Sequence, residues 1–175
     1  MRTAPIELDG YYAAWLERLP RRTLCFLVGG GRVLLGRKRR GFGAGKYLGA
    51  GGKVEAGESV RAAAARETRE ELGVCPRDLR QVARLAFLFP YAPDPAAWNQ
   101  EVSVFTSDSW SGSVAASDEL EPALFDFARV PYSEMWPDAV DWLPTVLEGG
   151  TVLGRFAYDA DFRVYDKRVE PGWRP

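Results

Sequence analysis

Glu67, Glu70 and Glu71 fall at i, i+3 and i+4, the spacing at which side chains share one face of an α-helix. Like charges set that close oppose the helix by about 0.2–0.5 kcal/mol a pair, so something should offset the repulsion. On the same wheel Val60, Ala63 and Ala64 occupy the turns beneath, while Arg61 and Arg69 point elsewhere. The acidic stripe therefore continues a small apolar one. Two readings fit: a solvated acidic face, or a cluster of hard oxygen ligands for Mg²⁺ or Mn²⁺. Mg²⁺ takes few carboxylates, keeps several waters and accepts phosphate oxygens. The chain of 175 residues contains no histidine, which removes histidine triads, histidine zinc sites and imidazole bases together. Acid–base chemistry falls to carboxylates, Tyr, Lys or Cys.

The element that must position these acids is well marked. Ser59 is a capping residue, residues 60–72 are rich in Ala, Glu and Arg, and Gly73 stands where a left-handed cap would end the helix. Ahead of it, glycines at 41, 43, 45, 49, 51, 52 and 57 recur among Arg37, Lys38, Arg39, Arg40, Lys46 and Lys53. Such a segment is either a flexible solvated loop or backbone brought close to an anionic ligand with cations nearby. Residues 23–28 and 32–35 read as a strand pair joined through Gly29, Gly30 and Gly31. Residues 6–19 read as an amphipathic helix presenting Tyr12, Trp15, Leu16 and Leu19, stopped by Pro20. Downstream, strands are expected over 81–89 and 102–106 around a Pro/Ala/Asn-rich loop, and another over 125–130. A helix is expected over 138–147 across Pro144, and a terminal hairpin pairs 156–158 with 162–166.

The length suits one core, divided here into a helical extension, residues 1–20, and a main domain, residues 21–175. Lys+Arg 23 against Asp+Glu 24 argues against a protein that coats a nucleic-acid polymer. Cys25 and Cys75 read as packing residues, since two cysteines make no disulfide framework. Neither a signal peptide nor an unbroken apolar span is evident, so the expectation is a cytoplasmic protein without a membrane partner.

The run from Gly52 through Glu58, Arg66, Glu67, Glu70 and Glu71 to Gly73 resembles the Nudix box, the loop–helix–loop signature of hydrolases that act on nucleoside diphosphates linked to another group. Every fixed polar and glycine position matches, and Thr68 stands where the family usually carries an aliphatic residue. The resemblance implies an α/β Nudix fold, a mixed sheet between helices. It also implies a divalent-cation site, Mg²⁺ or Mn²⁺, on Glu67, Glu70, Glu71 and the Gly52 carbonyl, with a Glu58–Arg66 pair bracing loop against helix. The proton acceptor stays open between Glu71 and a downstream acid, Asp118 or Glu119.

Outside the box, Arg40 to Lys46, Ser117 to Leu120, Met135 to Asp138 and the ending at Tyr165-Asp166 resemble the MutT-related branch that hydrolyses oxidised purine nucleoside triphosphates to monophosphate and pyrophosphate. That likeness implies a base pocket from Phe42, Phe87, Phe89 and Trp136, a base-edge contact from Asp138, and substrate binding by Lys53. Phe87 and Phe89, at strand period two, also read as plain core residues, and Asp138 as a first-turn helix acid. Leu48 replaces an asparagine of that branch and Ala139 a second aspartate, so two polar base readers are gone. The expected activity is hydrolysis of a purine nucleoside triphosphate, a damaged one among the candidates, by a monomer. The alternatives are a pyrophosphatase for nucleotide sugars or ADP-ribose, dimeric and without an aromatic clamp, and a non-catalytic Nudix-fold nucleotide-binding module.

Overall fold

Two glycines set the first turn. Gly30 and Gly31 both carry positive φ, +58° and +74°, the conformation of a two-residue hairpin turn whose twist matches the flanking strands. In the computed structural model, which describes residues 6–175, they join β1 (Arg21–Gly29) to β2 (Arg32–Lys38), with Val28 opposite Val33. After β2 the chain returns along β1: β3 (Tyr47–Leu48) pairs with β2, and Ala50 to Val54 exchange backbone hydrogen bonds with Arg21, Thr23 and Cys25. The glycine-rich segment is thus partly pinned against a strand. Contact forces the choice of residue: a Cβ at Gly51 would lie 1.9 Å from the Thr23 carbonyl oxygen.

The acidic helix α2 (Val60–Leu72) follows, then β4 (Cys75–Arg77), β5 (Arg80–Leu88), the short α3 (Pro95–Trp98), β6 (Gln100–Ser107), β7 (Ser109–Ser111), β8 (Leu120–Asp126), α4 (Ala139–Leu147), β9 (Val152–Tyr158) and β10 (Val164–Pro171). The main sheet runs β10-β9-β5-β6-β1-β2-β3, with β8 on β2. The β1/β6 and β5/β9 pairs are parallel and the others antiparallel. This is the expected mixed sheet between helices. Strand period two divides β1: Cys25 and Leu27 pack with Ala64 and Leu72 of α2, whereas Leu24 and Phe26 pack with Trp142 and Leu143 of α4. Thr68, buried on the α2 side, donates its hydroxyl to the Ala64 carbonyl at 2.7 Å, so the departure from an aliphatic residue leaves no unpaired polar group.

Three boundaries differ from expectation. The strand predicted over 125–130 is β8, and residues Phe127–Arg129 form a 3-10 turn instead. Its partner β2 begins at Arg32, opposite Asp126, so the ladder runs out there; Pro122 is tolerated because β8 is an edge strand. The N-terminal helix α1 spans only Leu8–Trp15, capped by the Glu7 carboxylate. Leu16, expected on its packed face, is exposed, and Leu8 is buried with Leu19, Ala86, Leu88 and Ala157. Residues 1–5 of the proposed 1–20 extension lie outside the described residues. The terminal hairpin β9–β10 forms with longer strands than predicted.

Candidate active site

Ser59 Oγ accepts the Ala62 amide at 3.1 Å, and Gly73, at φ +74°, closes the other end of α2 through its amide to the Arg69 carbonyl. Between these caps the helix lays Ala63 and Ala64 against the sheet, which turns the acids toward the glycine-rich segment. Arg66 is the organiser there. Its Nε and Nη2 donate to both oxygens of Glu58 at 2.9 and 3.0 Å, Nη2 also to the Lys53 carbonyl at 3.0 Å, and Nη1 to Glu67 at 2.9 Å and Glu70 at 3.3 Å. A bidentate guanidinium–carboxylate pair is strong and directional. It holds the Glu58 carboxyl below the usual glutamate range, chiefly by this hydrogen bond, and ties loop to helix.

Glu71 accepts the Gly51 amide at 2.8 Å. Burial pushes its carboxyl up to about 7 despite that bond, with Glu67 and Glu119 adding to the rise. Burial also raises Glu67, against the pull of Arg66. Gly52 lies against Glu67 so closely that a Cβ would stand 2.4 Å from Oε1, and its carbonyl accepts the Thr23 amide at 2.9 Å, leaving one lone pair free. Glu119 bonds Arg40 at 2.7 Å at the solvent edge.

These residues suit a divalent cation by donor chemistry. All are hard oxygen donors, and two are partly desolvated carboxylates whose charge is under-compensated. Among the described residues no three acids already converge on one point; Arg66 instead lies between Glu67 and Glu70.

Beside this helix end opens a cavity of about 500 Å³ that touches Gly51 and Gly52 at one end and the aromatic residues Phe42, Phe89, Trp98 and Trp136 at the other. Phe42 is 45% exposed, with its ring 4.5 Å from Trp98 and 4.8 Å from Trp136. Phe87 and Phe89 line the cavity while remaining buried, stacked on Phe156 at 5.8 Å and Tyr158 at 4.7 Å, so both expectations for them describe the same side chains. Asp138 also lines it, but its oxygens are taken: Trp142 Nε1 donates to Oδ2 at 2.7 Å and the Tyr158 hydroxyl to Oδ1. Burial raises its pKa against these two bonds. Asp138 precedes α4 yet makes no side-chain cap bond.

The cations of the glycine-rich segment are placed unevenly. Lys53 is exposed and away from the cavity wall, contributing only its carbonyl to Arg66. Of the run Arg37 to Arg40, Arg39 and Arg40 pair with Glu121 and Glu119 at the surface, and Lys38 alone lines the cavity.

Sequence reasoning passed over Trp98 and Phe162. Trp98 sits in the Pro-rich loop, raised into place by α3, whose N-cap Asp94 accepts the Ala96 amide. The adjoining Asn99 is buried, accepting the Phe89 amide at 2.7 Å and donating to the Tyr11 hydroxyl of α1 at 3.1 Å. Phe162, in the β9–β10 turn, stacks on Trp98 at 5.5 Å and 13° with φ +59°, a strained backbone for a bulky residue. Neither position has a local signal beyond being aromatic in a turn-rich stretch.

With this geometry the kinship is decided by a family model: residues 18–146 match the NUDIX domain. The chain belongs to the Nudix family. This Nudix chain is 38% identical to an oxidized purine nucleoside triphosphate hydrolase of Danio rerio, over 85% of its own length and 92% of the relative's. It is 36% identical to the protein of the same name from Mus musculus, over 78% and 85%. Among solved structures it superposes on the MutT protein of Bacillus halodurans with a TM-score of 0.75 at 25% identity, covering 87% of this chain and 98% of that one. Nudix hydrolases generally need divalent cations. Both α1 and the β9–β10 hairpin that carries Phe162 lie outside the span matched by the family model.

Proposed function

We propose that this Nudix hydrolase cleaves purine nucleoside triphosphates, oxidised purines among them, to the monophosphate and pyrophosphate. One observation carries the reading: a single cavity runs from an aromatic clamp to Gly51 and Gly52, whose backbone lies against Glu71 and Glu67, so a base held between rings sends its phosphate chain toward the acids of α2. The names of the two vertebrate relatives support the substrate class.

Phe42 and Trp136 hold the base by stacking, worth about 1–3 kcal/mol per base. Glu67, Glu70, Glu71 and the free lone pair of the Gly52 carbonyl would hold the divalent cation, Mg²⁺ or Mn²⁺. Bound there, the cation would supply charge neutralisation for the phosphates and a lowered pKa for a water. Glu58 and Arg66 fix the relation of loop to helix. Glu71, already drawn toward neutrality, and Glu119 are the acids near enough to accept the proton of the attacking water. The attack breaks a phosphoanhydride bond, and the leaving oxygen departs with pyrophosphate.

The nucleotide-sugar and ADP-ribose alternative expected a site without an aromatic clamp, and the clamp counts against it. With Leu48 and Ala139 in the cavity wall and Asp138 occupied by Trp142 and Tyr158, base selection relies on shape more than on a dense set of polar contacts. The protein acts as a monomer on a small-molecule nucleotide; no helix among the described residues is long and apolar enough to cross a membrane. The test is a panel of dGTP, 8-oxo-dGTP, dATP and ADP-ribose with Mg²⁺, products identified by mass. Pyrophosphate and a nucleoside monophosphate from the purine triphosphates are expected; cleavage confined to ADP-ribose would overturn the reading.

A further inference from the structure

Three arginines among the described residues are half-buried: Arg22, Arg66 and Arg155. Arg66 and Arg155 are ion-paired, to Glu58 at 2.9 Å and to Asp9 at 3.3 Å. Arg22 is not: its Nε is buried without a hydrogen-bond partner, and it enters no salt bridge among the described residues. A desolvated guanidinium left unpaired costs more than any neutral donor in the same place. β1 is an interior strand, paired with β6 and β2, and the cavity that Arg22 lines is the side from which an anion reaches this donor.

Its location says which anion. Arg22 shares the cavity face of β1 with Leu24 and Phe26, and all three line the cavity. Phe26 reaches the deep end, edge-on to Trp142 at 6.0 Å, and Leu24 follows. Arg22 comes last, in register with Val102 and bridged to Lys53. It lines the cavity with Gly51 and Gly52, whose backbone lies against Glu71 and Glu67, so it stands at the junction of the aromatic pocket and the carboxylate helix. A nucleotide whose base fills the pocket passes this point with the phosphate next to its sugar.

We infer that Arg22 binds the sugar-linked phosphate of the nucleotide, as a substrate-binding residue particular to this cavity. The assignment rests on the nucleotide reading above. A guanidinium offers five donors in a planar fork that fits two phosphate oxygens, and a charge-assisted pair of this kind corresponds to about a 10- to 100-fold gain in affinity. A bound phosphate pairs the guanidinium and offsets part of the cost of its burial.

The test compares Arg22→Met, which keeps the apolar stem, and Arg22→Lys with the wild type. Isothermal titration in EDTA measures GMP and AMP against guanosine and adenosine. Wild type is expected to favour each monophosphate over its nucleoside, and Arg22→Met to lose about 10- to 100-fold for the monophosphates with nucleoside affinity unchanged. Arg22→Lys should fall between, because a point charge keeps the attraction without the fork. With Mg²⁺, KM for the triphosphate should rise more than kcat falls. The melting temperature of Arg22→Met should hold or rise, since an unpaired buried charge is gone; a residue kept for structure would lower it. Unchanged monophosphate affinity, or equal losses for monophosphate and nucleoside, would overturn the role of Arg22 in an enzyme that still turns over purine triphosphates. A wild type without such turnover defeats the substrate reading and this assignment with it.

Discussion

Replacing Gly52 by alanine separates the geometry of the acids from the stability of the fold. The position is not among the positive-φ glycines, so alanine suits the backbone. Its Cβ would stand 2.4 Å from Glu67 Oε1, 2.5 Å from Cδ and 2.8 Å from Oε2. To reach a contact of about 3.5 Å, the carboxylate must withdraw by about 1 Å, giving up its 2.9 Å bond to Arg66. Misplacement on that scale costs about 100-fold in rate, or about 2.7 kcal/mol of barrier. Glu67 ends a flexible side chain, so the melting temperature should barely change. Gly51→Ala is the control: there the Cβ meets the Thr23 carbonyl at 1.9 Å and Leu24 Cα at 3.0 Å. Both belong to β1, which cannot retreat without breaking its pairing, and that variant should fail to fold stably. Pyrophosphate release with Mg²⁺ and thermal melts by circular dichroism read both effects. Near wild-type kcat/KM in Gly52→Ala, or a loss of stability matching Gly51→Ala, would refute the reasoning.

Glu70→Gln should abolish turnover while leaving the melt unchanged, because the side chain is 54% exposed and meets Arg66 only at 3.3 Å; normal activity in that variant would remove Glu70 from the site. Glu58→Gln should lower stability at neutral pH. The folded carboxyl lies below the ordinary value of about 4.5, so its contribution is present above that value and lost as pH falls through the lowered one. The melting difference from wild type should therefore close on acidification, and a difference constant with pH would count against the ion pair. Phe162→Asn suits a positive φ and removes the ring stacked on Trp98. Steady-state kinetics should show KM raised by about 2- to 10-fold, the worth of one aromatic pair, with kcat and melting temperature held; an unchanged KM would place Phe162 outside the binding surface.

The acidic helix was legible because every cue for it is local. Ser59 and Gly73 cap it, alanines fill its buried side, and the i, i+3, i+4 acids need no distant partner to share a face. Hairpin β1–β2 was readable for the same reason, whereas the Glu58–Arg66 brace was implied only by the resemblance to the Nudix box. What escaped depends on chain brought from elsewhere. The end of β8 is set by where β2 starts, not by the apolar run from Phe125 to Val130. The burial of Arg22 Nε without a partner depends on neighbours distant in sequence such as Val102, and Trp98 meets Phe162 across 64 positions of sequence. Lys53 drew notice for its charge, whereas the contact its backbone makes, the carbonyl accepting from Arg66, has no signal in the sequence. Leu48 and Ala139 were visible as departures, yet only the structure showed Asp138 engaged by Trp142 and Tyr158.

Because β1 is lined by α2 on one side and by the aromatic cavity on the other, it works as a party wall between two rooms. Deleting a single residue within Arg21–Gly29 would not merely shorten it. With the β2 hairpin held in register, every residue on the N-terminal side of the deletion would change face, so losing Val28 would turn Cys25 and Leu27 toward the cavity and Phe26 toward the space fitted to alanines. Length, in this strand, is as strictly constrained as residue identity.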